Sequence, residues 1–104
     1  MKESDLSRAI QIALTQEGAR VFRNETGSYQ ASNGQWVSYG LCKGSADLIG
    51  WTKTGRFLAV EVKSKKGKVT EAQSIFINRV NMSGGIGFIA RSVEEAVSEL
   101  GRIK

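Results

Sequence analysis

The sequence contains no histidine. Without imidazole there is no Ser/His/Asp or Cys/His relay, and no zinc site that needs a ring nitrogen. Any catalysis falls to carboxylates, lysines, hydroxyls or a metal held by oxygen. Proline is also absent, so no proline-rich linker divides the chain. Cys42 is the only cysteine. It cannot form an internal disulfide, which suits a reducing compartment, and no neighbour in the sequence supplies a base to activate it. No apolar run approaches the roughly 18 residues of a membrane span. Glu3, Asp5 and Glu17 interrupt the N-terminal segment, which therefore lacks the uncharged stretch of a secretion signal. Together these absences predict a cytoplasmic protein with no membrane partner.

The 104 residues suit one compact domain spanning 1–104. A hydrophobic fraction of 40% and a charged fraction of 24% are enough to bury a core without disulfides or a structural metal. The net charge is +5 and the sequence pI about 9.7. That balance favours an acidic partner, nucleic acid first among them.

Residues 4–17 place Leu6, Ala9, Ile10, Ala13 and Leu14 on one stripe of an amphipathic helix, which Gly18 closes. Residues 19–24 alternate like a strand. Residues 25–45 are rich in Gly, Ser, Asn and Gln and carry Tyr29, Trp36 and Tyr39; they read as a long loop or an irregular hairpin. Residues 46–52 form a second strand, 53–56 a Gly-containing turn, and 57–64 (FLAVEVKS) a third strand paired to the second. Thr70 and Gln73 make a capping box for a helix to about Met82 that buries Ile75, Phe76, Val80 and Ile77. Gly84 and Gly85 end it, residues 85–91 make a fourth strand, and Ser92 with Glu95 caps a last helix bearing Ala96, Val97 and Leu100. The fold class is α/β, a small mixed sheet flanked by helices in the order αβββαβα, with one parallel crossover.

The third strand carries the question of function. Leu58, Val60 and Val62 face one side and Phe57, Ala59, Glu61 and Lys63 the other. Burying either charge alone would cost several kcal/mol, on the order of the penalty for an unpaired ion. Either the strand end is solvated and the two form a surface ion pair, or a partner compensates them. Pairing through the 53–56 turn sets position 47 opposite 62, within two residues, so Asp47 can converge on Glu61. Asp47 is otherwise a turn acceptor for the loop before it. Two convergent carboxylates suit a hard divalent cation such as Mg2+ or Mn2+. A lysine beside them can stabilise developing negative charge. Such a set serves phosphodiester hydrolysis without histidine.

This arrangement resembles the PD-(D/E)XK nuclease superfamily, and within it the VRR-NUC (virus-type replication-repair nuclease) family. The resemblance lies in Glu3 in the first helix, F-R-N at 22–24 with Gly27 after it, G-S-A-D at 44–47, E-V-K at 61–63 and T-x-x-Q at 70–73. Ala46 stands where the superfamily name has proline. The resemblance implies that Asp47, Glu61 and the Val62 carbonyl bind Mg2+ or Mn2+, that Lys63 is the catalytic lysine, and that Glu3 completes the site, with Asp5 as the rival in a shifted helix register. It places Gln73 in support of the lysine or the phosphate, although capping alone also accounts for that residue. Arg23 either contacts phosphate or lines a solvated edge. Lys65, Lys66 and Lys68 are either a solvated turn or a phosphate-contacting rim. Tyr29, Trp36 and Tyr39 stack on bases, brace a partner subunit or pin the loop to the core. The implied activity is metal-dependent, structure-selective endonucleolytic cleavage of branched DNA such as four-way (Holliday) junctions by a homodimer. A basic nucleic-acid-binding module without activity and a structural homodimeric accessory protein are the alternatives. The acidic pair speaks against the first, since carboxylates facing phosphates only repel them.

Overall fold

The structure is a computed structural model, and it describes residues 2–102; the ends of the expected 1–104 domain lie outside the described residues. Helix α1 (Glu3–Gln16) leads into β1 (Arg20–Arg23). A hairpin of β2 (Gly27–Gln30) and β3 (Trp36–Tyr39) follows, then β4 (Leu48–Trp51) and β5 (Phe57–Val62). Helix α2 (Glu71–Met82) crosses to β6 (Ile86–Ala90), and α3 (Val93–Arg102) follows. The main sheet has the order β1-β4-β5-β6. Its first two pairings are antiparallel and β5 pairs β6 in parallel. This is the mixed sheet with one crossover helix that the sequence predicts, and it fits a PD-(D/E)XK-like core.

Alternation along the strands divides the interior into two layers. Leu58, Val60 and Val62 join Leu48, Ile86 and Phe88 under α1 and α3, where Leu6, Ile10, Leu14, Ala96 and Leu100 close the main core. On the opposite face Ala59 meets Ala46, Ile77 and Val80 beneath α2, with Ile49 and Phe76 beside them. The α2 face is the smaller, and it is the face that carries Glu61.

One open reading is settled and two local expectations change. The segment 25–45 is a true hairpin, closed by Gly34 at φ +86 and by Ala31 N–H to Gln35 O at 2.7 Å. It stands apart as a second, two-stranded sheet. Ile75 is 43% exposed rather than buried, because Ile77 and Val80 already occupy the sheet-facing stripe and a residue two before Ile77 lies about 200° round the helix. In the last cap, Ser92 Oγ accepts from Glu95 N–H at 3.0 Å as expected. Glu95 Oε1, however, accepts from Arg91 N–H at 2.7 Å, one residue before the cap.

Candidate active site

Asp47 is the residue immediately before β4, and its place is set by Asn24 at the end of β1. Asn24 donates its own N–H to Asp47 O at 2.7 Å. Its side-chain amide donates to Ser45 Oγ (2.7 Å) and Ala46 O (2.9 Å), while its Oδ1 accepts from Leu41 N–H (3.1 Å). The Ser45 hydroxyl in turn donates to Cys42 O at 2.6 Å. One asparagine therefore holds the segment 41–47 in shape. Gly44 anchors the same segment against α2: it adopts φ +82, and a Cβ there would meet the Ala72 backbone at 2.7 Å.

The register sets Leu48 opposite Val60, which carries Asp47 to the level of Glu61, one residue from the expected pairing with 62. Asp47 Oδ2 accepts the Val62 N–H at 2.9 Å. In an extended chain the N–H and C=O of one residue leave on the same side, so the Val62 carbonyl turns toward the same edge. Beside it Glu61 is only 2% exposed. The solvated surface pair with Lys63 is thereby ruled out: the carboxyl is inside. Glu61 Oε2 is buried with no hydrogen-bond partner. Burial, and then a hydrogen bond with Asp47 and the charge of Asp47, push Glu61 up to about 9, while Lys63 draws it down and Glu3 raises it slightly. A hydrogen bond between two carboxyl groups needs a proton on one of them, so the pair holds a proton where nothing else supplies positive charge.

Lys63 continues the strand, giving its N–H to Ala90 O at 3.1 Å, and its half-buried side chain is near enough to act on Glu61. Glu3, at the first position of α1, accepts Ser64 N–H through Oε2 at 3.1 Å. The helix thus brings Glu3, not Asp5, to the strand end. A cleft of about 370 Å³ opens in front, lined by Glu3, Ser7, Arg23, Asn24, Tyr39 and Asp47 among others. Asp47 is on the cleft wall and Glu61 is not.

The remaining candidates divide. Arg23 reaches the cleft but pairs with Glu25 at 2.6 Å, both side chains exposed; such a pair holds its partners weakly. Gln73 is engaged in its cap, with Oε1 on Thr70 N–H at 2.9 Å, and lines a different groove with Lys43 and Thr70. Lys65, Lys66 and Lys68 are exposed on the loop after β5. Arg91 shapes that loop, donating through Nη1 to Ser64 O (2.8 Å) and Gly67 O (2.7 Å). Neither Arg91 nor the bonding role of Asn24 is foreseen from sequence. Asn24 ends the F-R-N stretch, and an asparagine at a strand end before a Gly/Ser-rich loop was the available sign. Arg91 left none.

The donors are suited to one kind of ligand. Two carboxylates and a main-chain carbonyl are hard oxygen donors, and an orphaned buried carboxylate oxygen needs a cation or a proton. Among the described residues no group of three or more His, Cys, Asp or Glu side chains forms a metal cage, so a hard ion here would keep several waters, as Mg2+ does. Among the described residues, too, no helix is long and apolar enough to cross a membrane.

A family model described as the VRR-NUC domain matches residues 2–94. A comparison with curated proteins finds no match.

Proposed function

The chain belongs to the VRR-NUC domain family, nucleases that act on DNA and are usually dependent on a divalent metal, and from that premise we propose that it is a metal-dependent, structure-selective endonuclease for branched DNA such as four-way junctions. The observation that carries the reading is the buried Glu61 carboxyl, its Oε2 unpartnered, beside Asp47. Asp47, Glu61 and the Val62 carbonyl would hold Mg2+ or Mn2+. Such an ion, when bound, acidifies water and polarises a phosphoryl oxygen. The protein's own part is positional. Asp47, tied by Asn24 and by Val62 N–H, cannot swing away from the strand end. Glu3 braces the Ser64 turn and keeps Lys63 beside the acidic pair. The Lys63 ammonium offsets the negative charge that grows on the scissile phosphate as the attacking oxygen adds and the leaving oxygen departs with a proton. Gln73 supports the lysine or the phosphate if it leaves its cap. Arg23, Lys65, Lys66 and Lys68 contact phosphates flanking the cut, and Arg91 presents the lysine loop.

The protein works as a homodimer, two sites serving the two symmetric strands of a junction. Support comes from the α2 face of the sheet, which α2 covers only in part. Phe22 and Trp51 pack there with ring centroids 5.7 Å apart and planes tilted by 47°, both half-exposed and next to half-exposed Phe57. Exposed apolar patches of this kind mark interaction sites, and a twofold dimer buries the same patch of both copies. The setting is the cytoplasm, that of the host cell if a phage encodes the protein.

The test is cleavage of a labelled four-way junction and of linear duplex with Mg2+, with Mn2+ and with chelator. Metal-dependent junction cutting that disappears in Glu61→Ala while binding survives is the expected result. Binding without cutting in either metal would leave only a DNA-binding module. Neither binding nor cutting would leave an accessory protein.

A further inference from the structure

The hairpin is the largest feature that metal chemistry leaves unexplained. Its register pairs Gly27 with Tyr39 and Tyr29 with Val37, so both tyrosines stand on one face. Their rings are 6.5 Å apart and tilted, and the side chains remain 54% and 51% exposed. Gly27 permits this: a Cβ there would lie 2.7 Å from Tyr39 Cζ and nearer still to the hydroxyl. Tyr39 crosses the space that any other residue at position 27 would fill. It also lines the cleft that holds Glu3, Arg23 and Asp47. Residues 26–40 carry no charge, so this face brings no cation to a phosphate, and Arg23 beside it is the cation that lines the cleft.

We propose that Tyr39, backed by Tyr29, is a stacking platform for an unpaired nucleobase of a strand lying in the cleft that Asp47 and Arg23 line. The inference rests on the endonuclease reading and adds how branch structure is sensed. A base in duplex is stacked on its neighbours and presents no free face to a ring. At a branch point or in a single strand the base is free, and aromatic stacking accepts any of the four. A second copy of the chain is the other occupant such a face could take. It is disfavoured because Tyr39 shares the cleft with Asp47, so a protein seated on the ring would block DNA from the site.

The test uses the full chain in chelator, so that no cleavage occurs. The probe is an oligonucleotide with 2-aminopurine at one position, presented as a single strand, at the branch of a four-way junction and within plain duplex. The wild type is expected to quench the single-strand and branch probes but not the duplex probe. Tyr39→Phe should retain the quench. Tyr39→Leu should lose it and bind the single strand about tenfold more weakly, the loss expected of one stacked base, with duplex binding unchanged. Gly27→Ala, which keeps both tyrosines but displaces the Tyr39 ring, should also reduce the quench. Undiminished quenching in Tyr39→Leu overturns the proposal, as does an equal loss on duplex. A change from dimer to monomer in light scattering of Tyr39→Leu would assign the face to a second copy and overturn it as well. A tyrosine-dependent quench in a protein that cuts no DNA with Mg2+ or Mn2+ would sink the endonuclease reading and keep the platform. Cutting without that quench would do the reverse.

Discussion

Glu3 and Ser64 are joined by a 3.1 Å hydrogen bond across 61 positions of sequence. The bond fastens the start of α1 to the residue after Lys63, and so ties the acidic helix terminus to the end of the E-V-K strand. Asp5, two residues along the same helix, has no such bond among the described residues.

Turnover should separate these two acids. Glu3→Gln is expected to lower kcat about tenfold, the scale seen when the support of a metal site is removed. Asp5→Asn should stay close to wild type. Steady-state cleavage of a junction by both variants checks this, and the opposite order would show that the helix register at the site is different.

Glu61 makes stability depend on pH in a predictable direction. Its pKa rises from an ordinary 4.5 to about 9, by burial first and Asp47 second. Between those values the folded protein keeps a proton that the unfolded chain gives up, so unfolding releases it. The contribution is therefore complete below about pH 4.5 and is lost as the pH rises through about 9. In chelator, the melting temperature of the wild type should fall between pH 5 and pH 9 relative to Glu61→Gln, whose side chain does not titrate. Added Mg2+ or Mn2+ at pH 8 should raise the wild-type value by ligand linkage and leave Glu61→Gln unmoved. Parallel pH curves for the two proteins would mean that Glu61 is ionised in the metal-free fold.

Asn24 should matter more than its place outside the acidic set suggests. Asn24→Ala removes two donated bonds and one accepted bond from the 41–46 segment. The expected loss is about 1–3 kcal/mol, because Ser45 Oγ and Ala46 O, left without their donor, are partly buried. Since that segment ends at Asp47, metal affinity measured by calorimetry should fall with it. Urea unfolding provides the stability value. A variant as stable as wild type that binds metal equally well would show that the segment holds its shape without the amide.

The half-covered sheet face gives a prediction about mass. Trp51→Glu sets a charge beside Phe22 on an exposed surface. It should convert the proposed dimer to a monomer in light scattering, while the melting of the protomer loses only the Phe22 ring contact, about 0.5–1.5 kcal/mol. A dimer that survives Trp51→Glu places the contact elsewhere.

The sequence by itself determined the elements whose signals lie within a few residues. The Leu6–Ile10–Leu14 stripe makes α1, the Thr70–Gln73 box starts α2, and the 53–56 turn pairs β4 with β5. That turn also explains why Asp47 and Glu61 could be expected to meet, since a hairpin register is counted outward from its turn. Tertiary structure alone decided what long closures bring together. Glu3 reaches Ser64, Arg91 gathers the carbonyls of the lysine loop, and Asn24 grips a segment more than fifteen residues away. Burial of Glu61 was likewise undecided by its own strand, where a solvated end and a covered one read alike. Alternation assigns a side chain to a face of the sheet, but only the packing of other elements over that face determines whether water reaches it.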